Sequence, residues 1–247
     1  MRFNIASGVV LKAFFSSLVL IVLLGSASAL AQGVPVVPAG SAALPHADCC
    51  GPISPEGAQL AHLIDSMDVE HLWLADAFVD WRTGKWVHAE SSKSTHCSAF
   101  AAAVGDRLNI YMLRPPEHPT LYLASAQVHW FGTGKASEDG WRELTGPGRQ
   151  AEAQRLANTG SLVVIGYATE NGDADAHGHI VVVRPAVKTN KQLATEGPQV
   201  AQAATHNRSS DAAANSFNAH PGAWPNKVRY YAHDVDWSAT HTPGSAQ

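Results

Sequence analysis

Two stretches of the chain place apolar residues at the spacing of one buried helix face, and a third stretch is followed by a helix stop signal. The first follows Ser54 and Pro55, a pair that is typical of a helix N-terminus. The second begins at Cys97, and the third runs from 149 to 158, with Gly160 just beyond it as a stop signal. The apolar positions of the first two are Leu60, Leu63, Ile64 and Met67, then Phe100, Ala101, Val104 and Leu108. The pattern therefore predicts three helices.

The second half of the chain carries short apolar runs separated by turn residues. These runs cover 161–168, 179–185, 199–204 and 228–233, and they are rich in valine, isoleucine and tyrosine. Such runs are typical of strands. Helices first and strands later predict an α+β domain, in which the N-terminal helices pack on a small antiparallel sheet.

The N-terminus carries the features of an export signal. Arg2 and Lys12 are basic, residues 13–24 form an uncharged apolar run, and Ala29 and Ala31 supply small residues for cleavage. We expect a signal peptide over 1–31, an extended leader over 32–53, one domain over 54–240 and a polar tail over 241–247. Cleavage near Ala31 would make the protein periplasmic or secreted, and the alternative is a segment retained as an anchor.

Charge and cysteine content restrict the partners. The formal net charge is −4 and the chain has no run of lysine or arginine, which disfavours nucleic acid and anionic lipid as ligands. We expect a monomer without membrane contact in its mature form.

Three cysteines do not make a disulfide framework. Cys49 and Cys50 are adjacent, and could join each other, pair with another chain or stay reduced.

The free thiol that remains is then Cys97, at the start of the second helix. Backbone N–H groups and the helix dipole favour thiolate there, although a small buried side chain is the plain alternative. A nucleophile also needs a base, and His179 opens a strand. Antiparallel pairing would bring Gln202, His206 and Asn207 near it, which is the arrangement of a cysteine hydrolase. His179 could equally be a core histidine.

Four blocks of the sequence resemble the NlpC-type and CHAP-type cysteine peptidases, which are compact papain-like cell-wall amidases. The blocks are HCSAFAAAV, LANTGSLVVIGY, GHIVVVRP and GPQVAQA. The resemblance implies a papain-like fold, with Cys97 as nucleophile, His179 as base and Gln202 or His206 as the third member. It also implies hydrolysis of amide bonds in peptidoglycan peptides without a metal or organic cofactor. The chain departs from the family pattern at Gly160-Ser161 and in the long loop after His179.

The substrate groove is predicted from position and residue type. We expect residues 105–145 to form an insertion that supplies a groove wall. Trp86, His96 and Trp130 are candidates to line the groove, although aromatic side chains at such spacings are more often part of a core.

Two other functions compete with the hydrolase. Asp173, Asp175, His177 and His179 alternate, so an extended strand would place them on one face, where they could hold a divalent metal. That cluster predicts a metal-dependent hydrolase, or it is a solvated polar loop. The third possibility is a catalytically inactive cell-wall binding module that keeps the fold alone.

Overall fold

The computed structural model of the chain describes residues 48–89, 94–169 and 177–239. The predicted signal peptide, residues 32–47 of the predicted leader and the predicted tail lie outside the described residues. The helices are α1 (Pro55–Ser66), α2 (Cys97–Arg107), α3 (Leu123–Phe131), α4 (Gly134–Glu138), α5 (Arg149–Asn158), α6 (Asn190–Glu196) and α7 (Ala213–Ser216). In the described part of the chain, no helix is both long and apolar enough to span a bilayer.

Within the described residues, the central sheet is antiparallel and has six strands. The strands of the protein are β1 (Asp48–Cys49), β2 (Ala77–Val79), β3 (Trp86–Ala89), β4 (Arg142–Leu144), β5 (Leu162–Tyr167), β6 (His179–Val183), β7 (Lys188–Thr189), β8 (Gln199–Gln202), β9 (Arg208–Ala212) and β10 (Arg229–His233). The central order is β4-β10-β5-β6-β8-β9, while β1 pairs with β7 and β2 pairs with β3.

The predicted helices and strands are present, and the α+β class is confirmed. The helices are α1, α2 and α5, and the strands are β5, β6, β8 and β10. The start of α1 forms as expected, because the Ser54 hydroxyl accepts a hydrogen bond from the Gly57 N–H at 3.1 Å.

Both faces of the sheet are covered by helices. Successive side chains of a strand point to opposite faces. Val164 and Val182 therefore belong to the core with α2, whereas Val163 and Val181 belong to the core with α5. This two-sided burial is why β5 and β6 are unbroken apolar runs rather than alternating ones.

The first described residues are tied to the domain by backbone pairing. Cys49 pairs with Lys188 in the β1–β7 ladder, and Asn158 donates its Nδ2–H to the Gly51 carbonyl oxygen at 3.2 Å. Residues 48–51 were expected to belong to an extended leader. Cys49 and Gly51 form hydrogen bonds with later parts of the chain.

Candidate active site

Cys97 is the first residue of α2 and lies against the start of β6. Its side chain is buried, and the backbone groups of Ile180, Ser98 and Cys97 itself lie close enough to act on the pKa of its thiol. Small side chains bring the helix this close to the sheet, since Ala99, Ala101 and their neighbours are also buried. The start of α2 therefore lies near the residue that follows His179 in the sequence.

The electrostatic state of the thiol differs from the sequence-based expectation. Burial raises the pKa of the Cys97 thiol, and the three backbone N–H groups lower that pKa only in part. The predicted thiolate at the helix N-terminus is thus wrong for the resting protein. Desolvation outweighs the helix terminus, and Cys97 rests as a neutral thiol.

His179 opens β6 and is held by one side chain. Its Nε2 lies 2.9 Å from Oε1 of Gln202, and both residues are buried. An amide oxygen only accepts hydrogen bonds, so Nε2 carries the ring proton and Nδ1 is the unprotonated nitrogen of the neutral imidazole. Burial lowers the pKa of His179 to about 4, against a smaller opposing effect of the Gln202 bond. At neutral pH the ring is an uncharged base.

The strand register accounts for the contact between these two side chains. Val182 of β6 pairs with Ala201 of β8, so Gln202 lies diagonally across the ladder from His179. Diagonal neighbours on adjacent strands are within reach of long side chains such as glutamine.

Gly178 allows the strand to begin so close to α3. A Cβ at this position would lie 2.6 Å from the Tyr167 carbonyl oxygen and would also meet the Ser125 side chain. Only glycine fits between these groups without displacing them. The glycine before His179 is therefore a packing requirement of the site.

Two aromatic rings fix the orientation of His179. Phe217 meets it edge-on at a centroid distance of 5.3 Å, and His220 stacks on it at 5.3 Å with planes 20° apart. The pKa of His220 is lowered to about 4 by burial and by the charges of His179 and His177. Sequence patterns did not identify Phe217 or His220, because both follow a four-residue helix without periodicity.

Cys97 and His179 line one cleft of about 360 Å³. His96, one of the three predicted groove residues, lines it as well, with Nε2 bonded to the Ala77 carbonyl oxygen at 2.8 Å. Residues 120–124 of the predicted insertion form part of the wall. The remainder of 105–145 builds the end of α2, most of α3, α4 and β4.

The two predicted groove tryptophans lie elsewhere. Trp86 is 65 % exposed on β3 and does not line the cleft, and Trp130 packs against Tyr111 and Phe131 at the edge of the core. Trp81 lines the cleft instead. Trp86 and Trp130 are thus not among the described residues that line this cleft, and aromatic spacing alone does not tell which face of an element does so.

The structure distinguishes the three candidates for the third member. Gln202 contacts His179, whereas His206 is exposed. The side chain of Asn207 donates to the carbonyl oxygens of Val69 and Leu72 at 2.7 and 2.8 Å. Asn207 therefore holds a loop and is not directed at the imidazole.

The alternating Asp-His segment lies only partly within the described residues. Asp173 and Asp175 lie outside them, while the His177 ring stacks on Tyr122 at 5.2 Å and His179 Nε2 bonds Gln202. Among the described residues, no three potential ligands are grouped to hold a metal.

Two of the three cysteines form a disulfide, and the third is a thiol. Cys49 and Cys50 form a disulfide with each other, and Cys97 is the free cysteine. The thiol in the cleft is therefore not consumed by a disulfide.

Comparison of the sequence with protein-family models and with curated proteins finds no match.

Proposed function

We propose that the protein is an exported cysteine amidase of papain-like, NlpC-type architecture that hydrolyses amide bonds in peptidoglycan peptides. The observation that carries the proposal is the buried His179–Gln202 hydrogen bond, with His179 in the same cleft as Cys97 at a helix N-terminus. A thiol, an imidazole with its acceptor nitrogen unbonded to Gln202, and an amide that fixes the tautomer are the parts of a cysteine hydrolase.

The first step is acylation of Cys97. His179 Nδ1 takes the thiol proton as the sulfur attacks the carbonyl carbon of the scissile amide, and the carbonyl oxygen becomes an oxyanion. The imidazolium then gives its proton to the leaving nitrogen, the C–N bond breaks, and a thioester remains on Cys97. Gln202 accepts a hydrogen bond from Nε2 throughout and stabilises the imidazolium.

The second step is hydrolysis of the thioester. Water gives a proton to His179 Nδ1 as its oxygen attacks the thioester carbon, and the proton returns to the sulfur when the C–S bond breaks. The products are a carboxylic acid and the free thiol. Backbone N–H groups at the start of α2 are suitable donors for the oxyanion of both tetrahedral intermediates.

A neutral resting pair suits this sequence of steps. Burial raises the pKa of Cys97 and lowers that of His179, so the proton stays on sulfur until a substrate is bound. Proton transfer and attack then occur together, and the exposed thiolate that oxidants attack is not populated in the free protein.

The choice of substrate depends on the export signal and on the resemblance to cell-wall amidases. The experiment uses purified sacculi and counts the amino groups that are released. Wild-type protein should release them in the presence of a chelator, and Cys97→Ala should release none. Cys97→Ala is close in volume to the original side chain, and circular dichroism should show an unchanged fold.

The competing functions give different results in the same assay. A metal-dependent hydrolase would lose activity with the chelator and keep it in Cys97→Ala. An inactive binding module would sediment with sacculi and release nothing in any variant. Either result would overturn the proposal.

A further inference from the structure

The disulfide between Cys49 and Cys50 lies in the wall of a second cleft. This cleft measures about 720 Å³, and residues of β4, α5 and the start of α6 line it together with the two cysteines. None of its described lining residues also lines the cleft of Cys97. Cys49 is buried, whereas Cys50 is half-buried. The disulfide therefore borders a cavity that is separate from the candidate active site, and Cys50 is its more exposed member.

The backbone at Cys50 is held in an unfavourable conformation. Its φ is 76°, in the left-handed region that costs free energy for a residue with a Cβ atom. Gly51 follows with a φ of 73°, which glycine adopts without that cost. The disulfide joins two neighbouring side chains in a small ring that includes the peptide bond between them, so it restricts rotation at Cys50. Opening the ring would let Cys50 relax to an extended conformation.

The segment that contains the disulfide is attached to the domain by backbone groups. Cys49 pairs with Lys188 in the β1–β7 ladder, and Asn158 donates its Nδ2–H to the Gly51 carbonyl oxygen at 3.2 Å. The same amide nitrogen also donates to the Ala186 carbonyl oxygen at 3.1 Å. If Gly51 moved away, the side-chain amide of Asn158 would still have a partner. The segment can thus leave without stranding the polar group beneath it.

We propose that the Cys49–Cys50 disulfide is a redox switch, opened by a dithiol reductant, that controls the attachment of residues 48–51 to the domain. Opening lets Cys50 relax, and the segment then leaves β7 and Asn158. The release ends at Ser54, because the Ser54 N–H donates to the Asn158 carbonyl oxygen at 2.9 Å and holds the start of α1. The rest of the domain stays folded, and reoxidation restores the attachment. This switch does not depend on the proposed hydrolysis.

The reaction is a thiol–disulfide exchange with the dithiol as co-reactant. One thiolate of the dithiol attacks the Cys50 sulfur, the S–S bond breaks, and the electron pair leaves on the Cys49 sulfur, which takes up a proton. The second thiolate of the dithiol then attacks the dithiol's own sulfur in the mixed disulfide. Cys50 leaves as a thiolate and is protonated in turn. The protein disulfide is reduced to a pair of thiols, and the dithiol is oxidised to a disulfide.

The first test asks whether the disulfide opens in the folded protein. The purified protein is treated with dithiothreitol without denaturant and alkylated with iodoacetamide, and its digest is analysed by mass spectrometry. Cys49 and Cys50 should both be alkylated, while the buried Cys97 stays unmodified and marks the domain as folded. A disulfide that resists dithiothreitol until urea unfolds the domain would overturn the inference.

Hydrogen exchange measures the release of the segment. After reduction, the amides of residues 48–51 and of β7 should exchange about tenfold faster or more, while those of α5 keep their rates. Equal rates for the segment before and after reduction would overturn the inference, even if both cysteines have been reduced.

Variants test whether the backbone at Cys50 drives the release. Cys49→Ser/Cys50→Ser lacks the disulfide and keeps a side chain that disfavours positive φ, so the segment should exchange as fast as in the reduced wild type. Cys49→Ser/Cys50→Gly tolerates that φ and should exchange about threefold to tenfold more slowly than the serine variant. Cys97→Ala is the control and should keep the full response to dithiothreitol. Equal exchange in the serine and glycine variants would contradict the proposed release.

Discussion

At the scale of single residues, the tautomer of His179 decides what the site can do. Gln202 accepts a hydrogen bond from Nε2, so Nδ1 is the ring nitrogen that can accept a proton in the proposed reaction. The helix terminus was expected to supply the reactivity of Cys97, but desolvation dominates the pKa of both partners. The proposed reactive pair is therefore a buried neutral thiol and a neutral imidazole.

Removing the Gln202 acceptor should impair catalysis more than folding. In Gln202→Ala the imidazole loses the partner that sets its tautomer and angle, and kcat/KM for a cleaved peptide should fall about a hundredfold. Gln202→Glu, which keeps an acceptor, should recover part of the loss. His206→Ala serves as the control, since His206 is exposed on the adjoining loop and should leave kcat/KM within about twofold. Equal losses in Gln202→Ala and His206→Ala would contradict the assignment.

On the acid side, kcat/KM should fall only at an unusually low pH. The pKa of His179 is about 4 because of burial, so the ring remains a base down to that pH. We expect kcat/KM to hold its level between pH 7 and 5 and to fall as the pH approaches about 4. Gln202→Glu places a carboxylate beside Nε2 and should move this fall to higher pH. A wild-type profile that declines near pH 6.5, the ordinary histidine value, would contradict the account.

At the scale of elements, three close approaches form the site. The small residues of α2 bring its first turn to β6, Gly178 admits the start of α3, and the β6–β8 register places Gln202 diagonally from His179. Each approach depends on backbone positions and small side chains, and not on the catalytic groups themselves.

A methyl group at position 178 should disrupt the site. Gly178→Ala would force the Tyr167 carbonyl and the Ser125 side chain to move, and should lower the free energy of unfolding by about 1–3 kcal/mol. Activity should fall with it, because His179 is the next residue. Gly134→Ala is the matched control, since a Cβ there meets no heavy atom within 4 Å. Urea denaturation of both variants measures the difference. If Gly178→Ala were as stable as Gly134→Ala, the expected clash at position 178 would be contradicted.

Sequence patterns predicted the elements with strong local signals. Helices α1 and α2 have apolar periodicity, α5 is followed by the stop signal Gly160, and β5 and β6 are continuous apolar runs. The segment from β9 to α7 has neither feature, so its contribution of Phe217 and His220 to the His179 environment was not foreseen. Likewise, no local pattern shows that Phe78, rather than Trp86, faces the cleft.

At the scale of the whole molecule, burial of two histidines links stability to pH. His179 and His220 each have a pKa of about 4 in the folded protein, against about 6.5 in an unfolded chain. Well above pH 6.5 the histidines are neutral in both states, so their protonation does not make stability depend on pH there. As the pH falls from about 6.5 to 4, the unfolded chain binds protons first and the folded state loses stability.

The loss should be measurable by urea denaturation between pH 7.5 and 4. His179 alone accounts for about 3 kcal/mol when the full interval is crossed. The double variant His179→Gln/His220→Gln should lose less stability over the same interval than the wild type, although it is less stable at pH 7.5. Parallel curves for both proteins would show that the two rings are not responsible.

The central claim is that Cys97 is the nucleophile and that His179 activates it. Peptides released from sacculi, incubated with the protein for one turnover and quenched in acid, test it by mass spectrometry of the protein digest. The account predicts an acyl group as a thioester on the peptide that contains Cys97, removed by hydroxylamine and absent in His179→Ala. Hydrolysis without any acyl group on Cys97, at a rate that Cys97→Ala leaves unchanged, would contradict the account.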